Sequence, residues 1–397
     1  MTLASVLLLA CGVPVALACG YLFLLTLASG RPDVPSPCAR KLRFDLIVPA
    51  HNEEAGIAET VRSLLASDWP EFLRRVLVVA DNCQDATAAI ARAAGAEVLE
   101  RTDPAHRGKG FALEHAFAHS LAGSADALVV VDADTLVSDN LLNAFAARLE
   151  AGAPAVQADY GVRNPNASWR TRLIAIALGA FHVLRSRGRE RLQLSCGLRG
   201  NGMCFSRTLL EQVPHRAFSV VEDLEFGIQL GEAGYRVHYA GEAHVWGEMV
   251  SGETASRSQR RRWEGGRRQM ARLHGPRLLR LALRKHNRVL LDLGLDVLVP
   301  PLAEVAFATG AGLLLSLLVA HRTHHWILAA SVFSLSAVAL LAYVLRGWTL
   351  SGTGARGLLD LGLAPLYVIW KLTLGLRRKQ HAQGVWVRTH REGKQKP

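Results

Sequence analysis

The sequence predicts an α/β fold, in which a mostly parallel sheet is covered by helices on both faces and further helices cross or lie on a membrane. Two observations predict the sheet: short apolar runs alternate with amphipathic segments from residue 43 onward, and several of these runs end in polar clusters. A third observation predicts the membrane helices, because half of the 397 residues are apolar and residues 3–28 contain no charged side chain.

The alternation of strands and helices is clearest in the first third of the chain. Runs of strand length are separated by segments with helical spacing of apolar residues, and strands joined through helices pair in parallel. The predicted strands are 43–49, 76–81, 96–100 and 128–132, and the predicted helices are 55–67, 85–95 and 110–121.

Polar side chains stand at the ends of three of these strands. Ligands of open α/β sheets bind at the carboxyl ends of the strands, so these side chains are expected to outline one cleft. They are Pro49, His51 and Glu53 at the first strand, Asp81 at the second, and Asp132 and Asp134 at the fourth.

Asp132 and Asp134 are separated by one alanine at the end of a buried strand. Two carboxylates so close repel each other unless a positive charge lies beside them. A divalent cation that also contacts substrate phosphates fits this need, because magnesium takes only one or two protein carboxylates. The alternative is that Asp134 or Ser138 caps the next helix and the carboxylates are only solvated.

Composition excludes several other functions. The net charge of +12 suits a membrane surface or a phosphate-bearing substrate, and no nucleic-acid partner is expected because no recognition module accompanies the basic runs. The six cysteines form no CxxC pair, which argues against a zinc knuckle or a disulfide framework.

The sequence also argues against a phosphate-loop nucleotidase. Around Lys109 the stretch RGKG lacks the first glycine and the final Ser or Thr of a phosphate-binding loop.

Two later motifs add chemistry to the cleft. Glu222 and Asp223 begin an amphipathic helix, where the helix dipole alone would favour acidic residues. The stretch QRRRW at 259–263 precedes the apolar C-terminal part, where a basic run would also suit lipid headgroups.

Taken in order, PAHNE, the aspartate of VADN, RGKG, DAD, LRGNGM, ED and QxxRW resemble family 2 glycosyltransferases over about residues 43–270. The likeness is to the membrane-bound group that contains cellulose, chitin, hyaluronan and poly-N-acetylglucosamine synthases and ceramide glucosyltransferase. It implies a GT-A fold, which is Rossmann-like with a mostly parallel sheet, and a nucleotide-diphosphate sugar as donor, with a UDP-sugar expected.

The resemblance also implies a role for each motif. Asp81 would contact the base or ribose and Lys109 would lie near the nucleotide, while Asp132 and Asp134 would hold Mg2+ or Mn2+ against the diphosphate. Asp223 would be the general base, with Glu222 beside it and Val221 in place of the family's threonine.

The remaining motifs would bind substrate. The resemblance places an arginine on the pyrophosphate and an indole under the acceptor sugar, and the glycine-rich stretch would let backbone pass close to a sugar, although a tight turn explains it equally well. The residues concerned are Gly200, Asn201, Gln259, Arg262 and Trp263.

The expected domain order follows from hydropathy and charge. An N-terminal transmembrane helix (1–30) precedes a cytoplasmic catalytic domain (40–275), an interfacial helix (276–296), two transmembrane helices (297–346) and an interfacial or re-entrant helix with a basic cytoplasmic tail (357–397). Basic residues follow the first apolar run rather than precede it, so we expect a multi-pass protein of the inner (plasma) membrane, in contact with membrane lipids.

The sequence therefore predicts an inverting enzyme that extends a β-linked polysaccharide at the cytoplasmic face. Transfer of one sugar to a lipid such as ceramide, diacylglycerol or a polyprenyl phosphate is the alternative, because QxxRW occurs in both branches. A non-catalytic receptor for nucleotide sugars is the third possibility. The acceptor, glycan or lipid, and the oligomeric state stay open at this point.

Overall fold

A computed structural model describes residues 3–248, 253–320 and 325–369; within these ranges, the side chains of 3–5, 253–262, 319–320 and 325–326 are not described. The chain forms two compact units. The sheet unit comprises 31–164, 193–248 and 253–294, and the helical unit comprises 3–30, 165–192, 295–320 and 325–369.

The sheet unit is built on eight strands in the order β3-β2-β1-β4-β7-β6-β8-β5. Strands β3, β2, β1 and β4 pair in parallel, as predicted, whereas β7 pairs antiparallel with β4 and with β6, and β5 pairs antiparallel with β8. The strands are β1 (Phe44–Ala50), β2 (Arg74–Asp81), β3 (Glu97–Arg101), β4 (Ala127–Val130), β5 (Thr135–Val137), β6 (Ala155–Val162), β7 (Met203–Ser206) and β8 (Val237–Gly247).

Fourteen helices are present in the described part of the chain. They are α1 (Leu3–Ala28), α2 (Ile57–Leu65), α3 (Thr87–Ala93), α4 (Lys109–Ala122), α5 (Leu141–Glu150), α6 (Trp169–Leu178), α7 (Arg185–Arg191), α8 (Arg207–Gln212), α9 (Glu222–Glu232), α10 (Glu253–Lys285), α11 (Arg288–Leu298), α12 (Leu302–Ala320), α13 (His325–Ser351) and α14 (Gly354–Asp360). Short helical turns lie at Glu71–Leu73, Gly179–Leu184 and Leu361–Leu363.

The sheet separates two apolar layers. Successive side chains of a strand point to opposite faces, so Leu46 and Val48 of β1 pack in one layer while Ile47 packs in the other. All three are fully buried, and the helices that cover them therefore hold the carboxyl ends of the strands in fixed positions.

Pro49 lies inside β1, a central strand in which proline is unusual. The pairing of β1 with β4 ends at Ile47, whose carbonyl accepts a hydrogen bond from the N–H of Val131. Pro49 comes after that point, so its missing N–H removes no bond from the ladder. The end of β4 is thereby free to turn away from β1 and into the DAD motif.

The helical unit contains the apolar segments. Its core joins residues of α1, α12 and α13, such as Leu22, Val305 and Leu340. The carboxylate of buried Asp296 forms salt bridges with the guanidinium groups of Arg185 (2.8 Å) and Arg189 (2.6 Å). Opposite charges thus lie next to one another inside the unit.

Two described helices are long and apolar enough to cross a membrane, Val6–Ala28 and Ile327–Ser351. The helices Arg288–Leu298 and Leu302–Leu318 are long and apolar enough only when they are taken together, as a pair bent by 71°. If this pair is one span, the described residues contain three candidate spans. The predicted span 1–30 thus corresponds to a single helix. Of the two helices predicted over 297–346, the second is also a single helix, whereas the first is interrupted by Pro300 and Pro301 before α12 begins.

The predicted interfacial segment 276–296 is not one helix. Helix α10 runs through residue 276 without a break, and the chain is interrupted at His286, which has φ of 49°, and at Asn287. The side-chain oxygen of Asn287 accepts hydrogen bonds from the N–H groups of Val289 (2.9 Å) and Leu290 (3.1 Å), so it caps α11. The basic tail after residue 369 lies outside the described residues.

Candidate active site

The DAD turn follows β4 and is held from two sides. On one side, the side-chain oxygen of Asn201 accepts a hydrogen bond from the N–H of Asp132 (3.1 Å), and its amide nitrogen donates to Thr135 Oγ1 (2.8 Å). On the other side, the hydroxyl of Thr60 donates to the carbonyl of Ala133 (2.9 Å). Asn201, Thr60 and Thr135 are buried. The side chain of Asp132 therefore projects from a turn whose backbone is held in place.

Lys109, the first residue of α4, lies among the predicted carboxylates. Its Nζ is 2.5 Å from Asp132 Oδ1 and 3.5 Å from Glu222 Oε1, and it also donates a hydrogen bond to the carbonyl oxygen of Gly200. The lysine side chain is 17% exposed. Residues far apart in the sequence thus converge on one ammonium group.

The acidic pair at the start of α9 lies in surroundings that disfavour negative charge. Burial raises the pKa of Glu222 to about 7, and the charge of Lys109 offsets this only in part. Burial also raises the pKa of Asp223, against the opposing effects of the N–H of Leu224 and of Lys109. Burial alone would lower the pKa of Lys109, but Asp132 and Glu222 outweigh it and raise that pKa.

The glycine-rich stretch before β7 is a tight turn that packs on Asp223. Gly197, Gly200 and Gly202 have φ of +79°, +78° and +67°, in the left-handed region that favours glycine. A Cβ at Gly200 would lie 3.4 Å from Asp223 Oδ2. The sequence is compatible with a tight turn and with a backbone that passes close to a sugar. The structure shows a tight turn, and its backbone at Gly200 lies close to the carboxylate of Asp223.

Asp81 ends β2 and is fully buried. Its Oδ1 accepts hydrogen bonds from Arg101 Nη1 (2.6 Å) and Asn82 Nδ2 (3.1 Å). Its Oδ2 has no hydrogen-bond partner among the residues that the structure describes. A buried carboxylate oxygen without a donor is costly, so this atom suits a ligand N–H or O–H group.

The end of β1 lies against the end of β2. His51 Nδ1 is 2.7 Å from the carbonyl oxygen of Asp81, and the backbone N–H of Glu53 donates to Thr87 Oγ1 (2.8 Å). The structure therefore brings the predicted residues together in two groups. His51 lies with Asp81, and Asp132, Gly200, Asn201, Glu222 and Asp223 lie around Lys109.

The QxxRW motif lies in the first part of α10. The side chains of Gln259 and Arg262 lie outside the described residues. Trp263 is described and is 40% exposed, which leaves its indole accessible to a ligand.

The carboxylates suit a divalent metal ion. Asp132 and Asp134 are partly exposed and offer hard oxygen donors of the kind that Mg2+ and Mn2+ prefer. Within the described residues, no group of three or more His, Cys, Asp and Glu side chains is arranged to hold a metal ion. Two carboxylates completed by phosphate oxygens and water fit this arrangement.

Sequence reasoning missed two residues of the site. Arg101 forms a hydrogen bond with Asp81 and is the last residue of β3. The rule that ligands bind at the carboxyl ends of strands therefore points to this residue as well. Buried Gln157 accepts from the N–H of Arg199 (2.9 Å) and donates to the carbonyl of Asn201 (2.7 Å), so it fixes the glycine turn. No local pattern around residue 157 predicts this contact.

Comparison with known proteins assigns the chain to a family. Residues 42–266 match the family described as "Glycosyltransferase like family 2". The probable glycosyltransferase YdaM of Bacillus subtilis (strain 168) is 25% identical over 260 residues, which cover 63% of this chain and 60% of that protein. The beta-monoglucosyldiacylglycerol synthase of Synechocystis sp. is 30% identical over 232 residues, which cover 56% and 47%. The chain thus matches less than two thirds of the length of either relative.

Among solved structures, the mannosyltransferase PcManGT from Pyrobaculum calidifontis, determined with GDP-Man and Mn2+, superimposes with a TM-score of 0.55. The identity is 18%, and the match covers 95% of this chain and 99% of that one. This likeness confirms the predicted GT-A-like α/β fold. Because the family match spans more than half of the chain, the protein belongs to glycosyltransferase family 2.

Proposed function

We propose that this family 2 glycosyltransferase uses a metal ion to transfer a sugar, with inversion, from a nucleotide-diphosphate sugar to an acceptor at the membrane surface. The observation that carries the proposal is the convergence of Asp132, Glu222 and Asp223 on Lys109 at the carboxyl end of β4. A base, a metal site and a cation for phosphate would then lie within one cleft.

The donor would bind across the two groups of residues. Asp81 offers its buried Oδ2 to an N–H or O–H group of the nucleoside, and Arg101 keeps that carboxylate in place. Asp132 and Asp134 would hold Mg2+ or Mn2+, which when bound neutralises charge on the leaving diphosphate.

Asp223 would accept the proton of the acceptor hydroxyl. Its position beside the glycine turn and its raised pKa bring it toward the range in which a carboxyl group is an effective base. Attack from the face opposite the diphosphate is a single displacement, so an α-linked donor would give a β-glycoside. Trp263, with its exposed indole, is the proposed platform for the acceptor.

We favour a membrane lipid as the acceptor. The support is the relative named as a beta-monoglucosyldiacylglycerol synthase, together with two helices in this chain that are long enough to cross a membrane. The polysaccharide acceptor predicted from the sequence is the second candidate, because the ordered motifs resemble polysaccharide synthases.

Purified protein in lipid nanodiscs should release nucleoside diphosphate from one class of nucleotide sugar in the presence of Mn2+ and a lipid extract. One product of lipid mobility would support the glycolipid proposal, and a ladder of products would support the polysaccharide. Absence of both transfer and hydrolysis with all common donors would contradict an enzymatic function and favour the receptor.

A further inference from the structure

The position of Lys109 is unusual for a lysine. It is the first residue of α4, where the helix dipole is positive and disfavours a cation. The start of the helix is also fixed, because a Cβ at the next residue, Gly110, would come within 2.1 Å of the carbonyl oxygen of Ala217. The lysine is therefore held at this point by its partners and not by helix preference.

Those partners are mainly acidic. The ammonium contacts Asp132 and Glu222, and Asp223 raises the pKa of the lysine through its charge. One positive charge thus lies among three carboxylates with little exposure to water. Without the lysine, these carboxylates would repel one another in a partly dehydrated cleft.

Lys109 contacts the same carboxylate, that of Asp132, that would hold a metal ion in the proposed function. Asp132 Oδ1 lies 2.5 Å from Nζ, and an ammonium group at that distance weakens the coordination of a divalent cation by this carboxylate, because the two cations repel. A diphosphate supplies new anionic oxygens to which the ammonium can move. The carboxylate of Asp132 is then released.

We infer that Lys109 is the resident counter-ion of this carboxylate cluster and makes the binding of a divalent cation depend on a nucleoside diphosphate. This inference rests on the proposed function, since it takes Asp132 as a metal ligand. It makes Lys109 a positioning residue that acts through Asp132. Metal and nucleotide would enter as a coupled pair, and each would raise the affinity of the other by the same factor.

The test is Mn2+ binding to the full-length protein, measured by electron paramagnetic resonance of free Mn2+ with no nucleotide, with UDP and with GDP. In the wild type, the effective nucleotide should tighten Mn2+ binding by about tenfold or more. Lys109→Met should bind Mn2+ alone roughly tenfold more tightly than the wild type and should lose most of the tightening by nucleotide. Lys109→Arg, which keeps the charge, should behave like the wild type.

Lys41→Met is the matched control, because it removes an exposed lysine of the same unit by the same substitution and should leave Mn2+ binding unchanged. Thermal unfolding provides a second measurement. Without metal, Lys109→Met should have a lower melting temperature than the wild type. Added Mn2+ should raise the melting temperature of the variant more than that of the wild type.

Two results would overturn the inference. One is a wild type that binds Mn2+ equally tightly with and without nucleotide, a measurement that does not require any variant to fold. The other is Lys109→Met with Mn2+ affinity within twofold of the wild type. If nucleotide-dependent Mn2+ binding persists but Lys109→Met does not alter it, only this inference is wrong. If no Mn2+ binds under any condition, the proposed metal-dependent function is wrong as well.

Discussion

Glu222 and Asp223 are neighbours in the chain, yet they have different surroundings. Glu222 is buried and lies 3.5 Å from Lys109, whereas Asp223 is partly exposed and faces the glycine turn at Gly200. Successive residues of a helix point in different directions, so one carboxylate can reach an acceptor while the other pairs with the lysine. We therefore propose Asp223, and not Glu222, as the base.

Asp223→Asn should leave donor and Mn2+ binding intact and lower transfer by roughly 10²–10⁴-fold, because the amide keeps the shape of the side chain but cannot accept a proton. Nucleotide binding and single-turnover transfer measure the two effects separately. Glu222→Gln is the matched control and should be the milder change. Near-normal transfer by Asp223→Asn with an inactive Glu222→Gln would show that the base is Glu222.

The raised pKa of Glu222 predicts how stability depends on pH. Its pKa is about 7 in the folded protein against 4.5 for an unperturbed glutamate, so above pH 4.5 the unfolded chain releases a proton that the folded chain keeps. The contribution of Glu222 to the free energy of unfolding should therefore fall as pH rises from about 4.5 to about 7 in the absence of metal and nucleotide, whereas His215, whose pKa burial lowers from 6.5 to about 4, contributes in the opposite direction. Glu222→Gln removes only the glutamate's contribution, so the melting temperature of the variant should rise with pH relative to that of the wild type over this range, and parallel curves would contradict the assignment.

At the scale of elements, much of the fold was predictable and the centre of the site was not. Strands β1 to β4 lie within two residues of their predicted bounds, because each combines an apolar run with a polar end. The contact of Lys109 with Asp132 and Glu222 joins residues that no local pattern connects. The antiparallel insertion of β7 between β4 and β6 brings the glycine turn to the end of β4, where the carbonyl oxygen of Gly200 accepts a hydrogen bond from Lys109.

The glycine turn offers a matched pair of substitutions. Gly200→Ala and Gly197→Ala each place a side chain at φ near +80° and should destabilise the fold by about 1–2 kcal/mol. Only at Gly200 would the added Cβ contact Asp223, 3.4 Å from its Oδ2; at Gly197 it would meet the end of the Arg199 side chain at 3.8 Å. Thermal unfolding should show similar losses, whereas steady-state transfer should fall mainly in Gly200→Ala. Equal activities would indicate that the turn has a structural role alone.

Helix α10 exposes a stripe that suits anionic lipid. Leu273 and Leu283 are 60% and 71% exposed, and Arg280 and Arg284 are exposed on the same side by helical spacing. A fluorophore on Leu283→Cys should shift to the blue in nanodiscs with anionic lipid more than in neutral ones, and Arg280→Gln with Arg284→Gln should reduce the difference. Phe72→Cys, at an exposed apolar residue (84%), is the control site. Equal spectra in both lipids would contradict contact of the stripe with headgroups.

At the scale of the whole molecule, the direction in which the apolar helices would cross a membrane would determine which substrates can reach the cleft. The helix Val6–Ala28 is followed by Arg31, Arg40, Lys41 and Arg43. Positive charge accumulates on the cytoplasmic side of such helices. The sheet unit should therefore lie in the cytoplasm, where nucleotide sugars are made.

Cysteine accessibility in intact cells tests this orientation. Phe72→Cys and Gln395→Cys should react with a membrane-impermeant maleimide only after permeabilisation, whereas Thr2→Cys should react in intact cells. The unmodified chain, with six cysteines of its own, gives the background. Labelling of Phe72→Cys in intact cells would place the cleft outside and contradict the use of cytoplasmic donors. Labelling of Gln395→Cys alone would mean that the helix predicted at the start of 357–397 crosses the membrane, so that the basic tail could not reach the active site.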